Sequence, residues 1–268
     1  MNIKLHSWYN HFPNHSPIDG EPYIDCYNDC VILDEKDNIQ PNSIALLIEP
    51  RPIIPDVYEW IEKNDTKFKY IFTHDSKLLS IYSHTLPIIW GGGGGGIDEY
   101  PHIEKTKNVS LVSSYKEATY LHKQRIELAR ELKNNPDVTV MGTFDGGDHV
   151  PQREIYQDYR FCIAYENHID KFWFTEKICN CFVNKVIPIY IGTPYIRNWF
   201  NTDGIIECRD NEDVKQVLKN LKTIGFEKVY ELKKDAIEDN YKRVQQFDRF
   251  ENWFFRTYSD ELEGMKNG

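Results

Sequence analysis

The segment from Tyr159 to Gly192 constrains the fold of this 268-residue chain more than any other part of the sequence. Residues 160–165 are apolar and aromatic, and residues 186–191 form a β-branched run that ends at Gly192, so both are predicted to be buried strands. Between them, apolar residues recur at helical spacing behind Thr175, a residue type that caps helices. Strand, helix and strand in this order form a βαβ unit with parallel strands, which predicts an α/β fold.

Four polar residues of this segment lie where a βαβ unit binds ligands. Glu166 and Asn167 follow the first strand directly, and open α/β sheets bind ligands beyond the carboxyl ends of their strands. Glu176 and Lys177 would lie in the first turn of the helix. The free amides of that turn, its partial positive charge and the lysine ammonium predict a phosphate or diphosphate ligand. On spacing alone, an ordinary solvated helix start explains Glu176 and Lys177 equally well.

The same segment resembles the donor-binding signature of the α-1,3-fucosyltransferases, glycosyltransferase family 10. The shared strings are YRFCIAYEN, FTEK and VIPIYIGTP, in the family's order and near its spacing. A match of this length is far more specific than one short motif. The resemblance implies a GT-B type α/β fold, with two Rossmann-like domains facing across a cleft. It also implies that Glu166 and Asn167 lie near the donor sugar, that Glu176 binds the donor ribose, and that Lys177 binds the diphosphate. Thr175 is implied to be a donor-binding residue as well.

A second block supports the resemblance. Val109–Ser114 and Val138–Gly142 read as strands, and Lys123–Lys133 between them reads as a helix. The family has this order, and its arginine at the position of Arg125 contacts the donor diphosphate. A guanidinium is planar and permanently charged, which suits phosphate oxygens. Without the resemblance, Arg125 would be read as one of several charges that solvate the helix.

A third block lies near the amino terminus. Ile44–Ile48 reads as an apolar strand that Glu49 and Pro50 end at its carboxyl side. Family members have a glutamate with a nearby proline at the end of the matching strand, and that glutamate is the proposed general base. The resemblance therefore implies that Glu49 is the catalytic base. The alternative is structural, because a glutamate at a strand end is commonplace.

Together the three blocks imply an inverting glycosyltransferase that transfers fucose from GDP-fucose to a glycan hydroxyl by single displacement. Cations and helix N-termini would stabilise the leaving diphosphate, so no cofactor and no metal site are expected. Two alternatives stay open at this stage. One is an enzyme of the same fold that uses another nucleotide sugar. The other is a catalytically silent module that binds a nucleotide or a carbohydrate.

The chain is long enough for two α/β domains. Residues 1–105 are expected to form an N-terminal, acceptor-side Rossmann-like domain. Residues 106–268 are expected to form the donor-binding domain, with a C-terminal helical tail. Further elements of the first half are predicted as strands at 3–8, 30–33 and 69–72 and a helix at 57–63. His74 and Asp75 suit the start of a capped helix better than a metal pair.

Charge and cysteine content narrow the class of protein further. A net charge of −10 argues against a general nucleic-acid surface. The six cysteines match no zinc spacing and are predicted to be free thiols, which suits a reducing compartment. No apolar run suggests a signal peptide or a transmembrane helix. These features predict a cytoplasmic protein, possibly peripheral to a membrane, of the soluble microbial or viral kind within the family.

Overall fold

The computed structural model of the chain describes residues 2–266 and divides into two compact units. The first unit, unit 1, comprises the residues up to Gly95, the short stretch Asp170–Trp173 and the segment from Arg249 onward. The second, unit 2, comprises Gly96–Ile169 and Phe174–Asp248. Each unit contains its own sheet and its own hydrophobic core.

Strands and helices alternate along most of the described chain. The strands are β1 (Ile3–His6), β2 (Ile24–Asn28), β3 (Ser43–Leu47), β4 (Phe68–Thr73), β5 (Thr85–Pro87), β6 (Lys107–Val112), β7 (Val138–Met141), β8 (Tyr159–Tyr165), β9 (Ile187–Ile191) and β10 (Ile206–Glu207). The helices are α1 (Val31–Asp34), α2 (Pro55–Asn64), α3 (Ser76–Ile81), α4 (Tyr120–Leu132), α5 (Gln152–Tyr156), α6 (Glu176–Val183), α7 (Asn211–Ile224), α8 (Phe226–Leu232), α9 (Lys234–Val244) and α10 (Phe250–Lys266).

Unit 1 is built on a sheet of five parallel strands in the order β1-β2-β3-β4-β5. Strand β3 lies at its centre, and all five of its residues are buried. The last helix, α10, packs into the same unit, where the Phe254 ring contacts Phe12 and Phe72. The buried carboxylate of Glu251 accepts hydrogen bonds from the Asn14 amide and side chain, both at 2.8 Å.

Unit 2 is built on a second sheet of five parallel strands, in the order β10-β9-β8-β6-β7. Strand β8 is the predicted strand at residues 160–165, and β9 is the predicted strand at 186–191. Their parallel register pairs Phe161 with Ile187 and Tyr165 with Ile191. The βαβ unit formed by β8, α6 and β9 is therefore confirmed.

The structure overturns one predicted strand. Residues 31–33 belong to the short helix α1, Cys30 is its N-cap, and the strand lies earlier, at Ile24–Asn28. Asp29 separates the two elements with a left-handed backbone (φ 45°), which ends the strand. Val31 and Ile32 then reach the core from a helical turn, so their apolar character does not distinguish the two conformations. The other predicted strands and helices are confirmed with shifted ends; the first strand, for example, stops at His6.

Two further expectations concern the cysteines and the start of α3. All six cysteines are free, as predicted, and all but Cys30 are buried. Asp75 begins α3 by accepting a hydrogen bond from the Leu78 amide at 2.8 Å, which confirms the capped helix start.

Within residues 2–266, no helix combines the length and the apolar character that crossing a bilayer requires.

A buried lysine joins two helix ends in unit 2. The Lys105 ammonium donates hydrogen bonds to the carbonyls of Tyr156 (3.0 Å), Gln157 (2.8 Å) and Asn184 (2.8 Å). These carbonyls belong to the C-terminal ends of α5 and α6, where a positive charge is favourable. Burial lowers the pKa of Lys105 to about 8.

Lys105→Met is expected to destabilise the protein by about 2–4 kcal/mol, because three carbonyls lose their donor while the aliphatic stem is kept. Lys107→Met is the matched control, since the Lys107 side chain is 52% exposed. Its effect should stay within about 0.5 kcal/mol. Urea unfolding followed by circular dichroism measures both values. Equal unfolding free energies for the two variants would contradict the structural role of Lys105.

Candidate active site

The order of strands in unit 2 creates a crevice at one edge of its sheet. Strand β6 pairs with β7 on one side and with β8 on the other. The chain therefore leaves the carboxyl ends of β6 and β8 in opposite directions, which is a topological switch point. Ser113 follows β6, and Glu166 follows β8. Open parallel sheets bind their ligands at such points.

Glu166 is fully buried and is held by the residue that caps the next helix. Its carboxylate accepts hydrogen bonds from the Thr175 amide at 2.9 Å and from the Thr175 hydroxyl at 2.8 and 3.1 Å. The same hydroxyl accepts from the Lys177 amide at 3.4 Å, and so caps α6. Burial raises the pKa of Glu166, although Lys177 and Thr175 favour its ionised form.

Lys177 is surrounded by oxygen atoms. Its ammonium lies 3.0 Å from the Thr175 hydroxyl, 3.1 Å from Glu176 and 3.6 Å from Glu166. Loss of hydration lowers the pKa of Lys177, but the two carboxylates outweigh it, and the net pKa is raised. In Glu176 the loss of hydration raises the pKa, but the Lys177 charge outweighs it, and the net pKa is lowered. Both side chains keep solvent access, with 26% of Lys177 and 38% of Glu176 exposed.

Arg125 is the second cation of this crevice and is buried. The sequence alone favoured a solvated arginine, and the structure contradicts that reading, because only 7% of the residue is exposed. Its Nη1 donates to the Tyr165 carbonyl at 3.2 Å. Its buried Nε has no hydrogen-bond partner among the described residues. Burial lowers the pKa of Arg125, and Glu166 and Glu176 oppose that effect.

The start of α4 is tied to the loop after β8. Thr119 caps α4, and its hydroxyl donates to the Asn167 carbonyl at 2.7 Å. His122 completes a capping box, since its Nδ1 accepts from the Thr119 amide at 3.2 Å. Burial, followed by the charges of Arg125 and Lys177, lowers the pKa of His122 to about 4. The imidazole therefore stays neutral at physiological pH.

Sequence reasoning missed Thr119 and His122. The capping box normally has glutamate or glutamine at its third helical position, so Thr-x-x-His does not match the usual pattern. Gly142 was also given no role. It follows β7 with φ 104°, and a Cβ atom there would lie 2.3 Å from the Ser113 carbonyl oxygen. Only glycine allows the loops after β6 and β7 to approach this closely.

The structure thus brings six of the seven predicted site residues together in unit 2, namely Arg125, Glu166, Asn167, Thr175, Glu176 and Lys177. Glu49, the seventh, lies in unit 1 directly beyond β3. Its amide donates to the Asp29 carboxylate at 3.2 Å, and its carbonyl accepts from the Tyr58 hydroxyl at 3.0 Å. The residue itself is exposed.

The sequence model described as glycosyltransferase family 10 (fucosyltransferase), C-terminal part, matches residues 102–248, which is more than half of the chain. The chain belongs to glycosyltransferase family 10. It is accordingly a glycosyltransferase that resembles the α1,3-fucosyltransferases, as the sequence strings implied. The matched range includes every residue of the crevice in unit 2 described above.

Solved structures agree with this fold. An α1,3-fucosyltransferase with GDP aligns with a TM-score of 0.56 at 14% identity, over 97% of this chain and 91% of that chain. An α1,3-fucosyltransferase with GDP-fucose aligns at 0.51 and 14% identity, over 92% of this chain and 80% of that one. TarM aligns at 0.61 and 9% identity, over 92% of this chain and 55% of its own. The α/β fold with two parallel sheets is thus of the GT-B type.

The low pKa of His122 predicts a pH-dependent stability. The unfolded chain takes up this proton below about pH 6.5, whereas the folded protein resists it until about pH 4. His122 therefore contributes a loss of stability as the pH falls through that window. His122→Gln removes the titration and keeps a residue that suits the capping box.

We expect the urea midpoint of His122→Gln to fall less between pH 7 and pH 5 than that of the unaltered protein. His149→Gln is the control, because His149 is exposed. Unfolding curves at both pH values test the difference. If the urea midpoint falls equally in the His122 variant and in the unaltered protein between the two pH values, the pKa of His122 is not lowered.

Proposed function

We propose that this enzyme transfers fucose from GDP-fucose to a hydroxyl group of a glycan acceptor, with inversion at the sugar carbon. The reaction is a single displacement. The acceptor oxygen attacks the anomeric carbon, the bond to the diphosphate breaks, and GDP leaves with the bonding electrons. Glu49 accepts the proton of the acceptor hydroxyl. We propose the donor site in residues 106–268 and the acceptor side in residues 1–105.

The observation that carries this proposal is the buried guanidinium of Arg125. Its Nε has no hydrogen-bond partner among the described residues, although it is shielded from water. A buried polar group normally has a partner, so an unpaired N–H at a switch point favours a ligand acceptor. A phosphate oxygen suits a guanidinium in charge and geometry. Family membership supports the same ligand chemistry.

Lys177 supports the proposal through its solvent access and its neighbours. The two cations, Arg125 and Lys177, face two carboxylates, Glu166 and Glu176, so the crevice is nearly balanced in charge. A diphosphate would compete with Glu176 for the Lys177 ammonium. We propose that Glu176, once released, accepts hydrogen bonds from the donor ribose. Glu166 and Asn167 would then lie near the sugar.

The leaving group needs charge stabilisation more than it needs a proton. A nucleoside diphosphate leaves readily when cations hold its phosphates, and preorganised charges are most effective where water is partly excluded. Arg125, Lys177 and the capped N-termini of α4 and α6 would supply this stabilisation from the protein itself. Under this proposal, no cofactor is required besides the donor.

Removing the Lys177 charge should weaken donor binding. We expect Lys177→Ala to raise the Kd of GDP about 10- to 100-fold, which is the effect of losing one charge-assisted phosphate contact. Isothermal titration with GDP, GDP-fucose, GDP-mannose and UDP-sugars measures it. Lys123→Ala is the control, because Lys123 is exposed on α4 of the same unit.

The titration separates the possible donors. GDP-fucose binding that weakens in Lys177→Ala and persists in Lys123→Ala would support the diphosphate site and the donor. Preference for a UDP-sugar would reject fucose transfer from GDP-fucose and keep the glycosyltransferase. An equal Kd in the two variants would reject the role of Lys177.

Glu49→Gln should impair turnover and spare binding. A general base contributes about 10²- to 10⁴-fold, so we expect kcat to fall by that factor while the Kd of GDP stays unchanged. GDP release from GDP-fucose, with water and then with a panel of glycans as acceptors, measures kcat. Glu59→Gln is the control, because Glu59 is an exposed glutamate on the neighbouring helix α2. Full activity of Glu49→Gln would reject Glu49 as the base.

A further inference from the structure

Asp29 lies beside Glu49 in unit 1 and has no role in the mechanism so far. It follows β2 directly and adopts a left-handed backbone, with φ 45°. Its Oδ1 accepts hydrogen bonds from the amides of Ile48 at 2.8 Å and Glu49 at 3.2 Å. Both donors lie just beyond the end of β3, so one carboxylate oxygen holds two successive peptide groups.

These hydrogen bonds connect the ends of β2 and β3 beyond the last paired residues of the two strands. The β2–β3 ladder ends with Asn28 opposite Leu46, and the Asp29 amide still donates to the Leu46 carbonyl at 3.1 Å. The pairings of β3 among residues 2–266 end at Leu47, and beyond them the Asp29 side chain supplies the acceptor for the Glu49 amide. The Tyr58 hydroxyl donates to the Glu49 carbonyl at 3.0 Å from helix α2. The backbone of Glu49 is therefore fixed from two sides.

We propose that Asp29 is a positioning residue for Glu49, which it holds by two amide hydrogen bonds and favours as a proton acceptor by its negative charge. The inference rests on the proposed role of Glu49 as the base. A neighbouring negative charge favours proton uptake by a carboxylate, so an ionised Asp29 makes Glu49 a stronger base. Asp29 itself does not contact the substrate and carries no proton in the reaction.

Asp29 changes its charge near neutral pH. Burial raises its pKa to about 7, against the two amide hydrogen bonds, and the Glu49 charge adds to the increase. Three neighbouring groups keep their charge state in this range. Burial raises the pKa of the Cys26 and Cys30 thiols and of the Tyr58 phenol, which stay neutral.

Other charged groups near Asp29 and Glu49 are the ion pair of Arg51 with Asp75 and the exposed carboxylate of Asp34. Arg51 lies 4.5 Å from the Tyr58 ring centroid and donates to both carboxylate oxygens of Asp75, at 2.8 and 2.9 Å, which lowers the pKa of Asp75 despite its burial. Asp34 lies exposed in α1. The ion pair stays charged at neutral pH, whereas Asp29 titrates in that range.

Asp29→Asn tests the inference because the amide oxygen can still accept both hydrogen bonds while the charge is lost. We expect kcat for GDP release from GDP-fucose to fall about three- to tenfold at pH 8, because the base loses the neighbouring negative charge that favours its proton uptake. At pH 6, where Asp29 is mostly protonated, the difference should shrink. The Kd of GDP should not change, and the unfolding free energy should not fall.

Asp37→Asn, an exposed aspartate of the same unit, is the matched control and should match the unaltered enzyme. Asp29→Ala removes the acceptor as well and should lose more activity than Asp29→Asn at both pH values. The double variant Asp29→Asn, Glu49→Gln should be no slower than Glu49→Gln alone, because the aspartate acts only through the base. This non-additivity distinguishes positioning from a general loss of structure.

Two results would overturn the inference while the proposed function stands. One is a rate profile of Asp29→Asn that superimposes on that of the unaltered enzyme while Glu49→Gln is inactive. The other needs no variant: no change of slope in log kcat of the unaltered enzyme between pH 6 and pH 8. Full activity of Glu49→Gln would overturn both the base and its positioning residue.

Discussion

The hydrogen bonds between Glu166 and Thr175 determine the geometry of the whole crevice in unit 2. A fully buried carboxylate is expensive unless donors surround it. Here the donors are the amide and the hydroxyl of the residue that caps α6, so the end of β8 and the start of α6 are fixed as one piece. Because Lys177 lies two residues after the cap, its ammonium is fixed relative to the same carboxylate.

A second hydrogen bond connects α4 to the same loop. The Thr119 hydroxyl bonds to the carbonyl of Asn167, the residue after Glu166. The two helices that begin at the switch point are therefore both capped by threonines, and each threonine also holds the loop after β8. This arrangement orients Arg125 along α4 and Lys177 along α6 toward one crevice without a direct contact between the two cations. Both cations act at short range in a chain whose net charge is −10.

The sequence predicted those elements of the fold that have a regular apolar pattern or a recognisable cap. Strands β3, β8 and β9 are continuous apolar runs, and α6 begins at a recognisable cap, so their positions followed from local chemistry. The misassigned strand at residues 30–33 shows the limit of this reasoning. Its short apolar run fits a strand or a helical turn, and the left-handed residue before it depends on contacts with a distant strand.

The candidate site likewise contains residues that the sequence predicted and residues that it did not. The charged residues of the crevice were found through the family strings, but Arg125 is buried where it bonds to the last carbonyl of β8, which helical spacing does not encode. His122 and Asp29 were missed for a related reason. Each acts through side chain to backbone hydrogen bonds, and such bonds leave no periodic signal in the sequence.

Unit 1 is assembled from three separate stretches of chain, and both stretches of unit 2 are encoded between them. During synthesis, all residues of unit 2 leave the ribosome before α10 does. The first sheet must then wait for α10, whose Phe254 covers Phe12 and Phe72. Domains usually fold in the order of their synthesis, and exposed apolar surface favours aggregation. In this chain the apolar surface of the first sheet is covered by Phe254 only after unit 2 has been synthesised, so α10 determines how long that surface stays exposed.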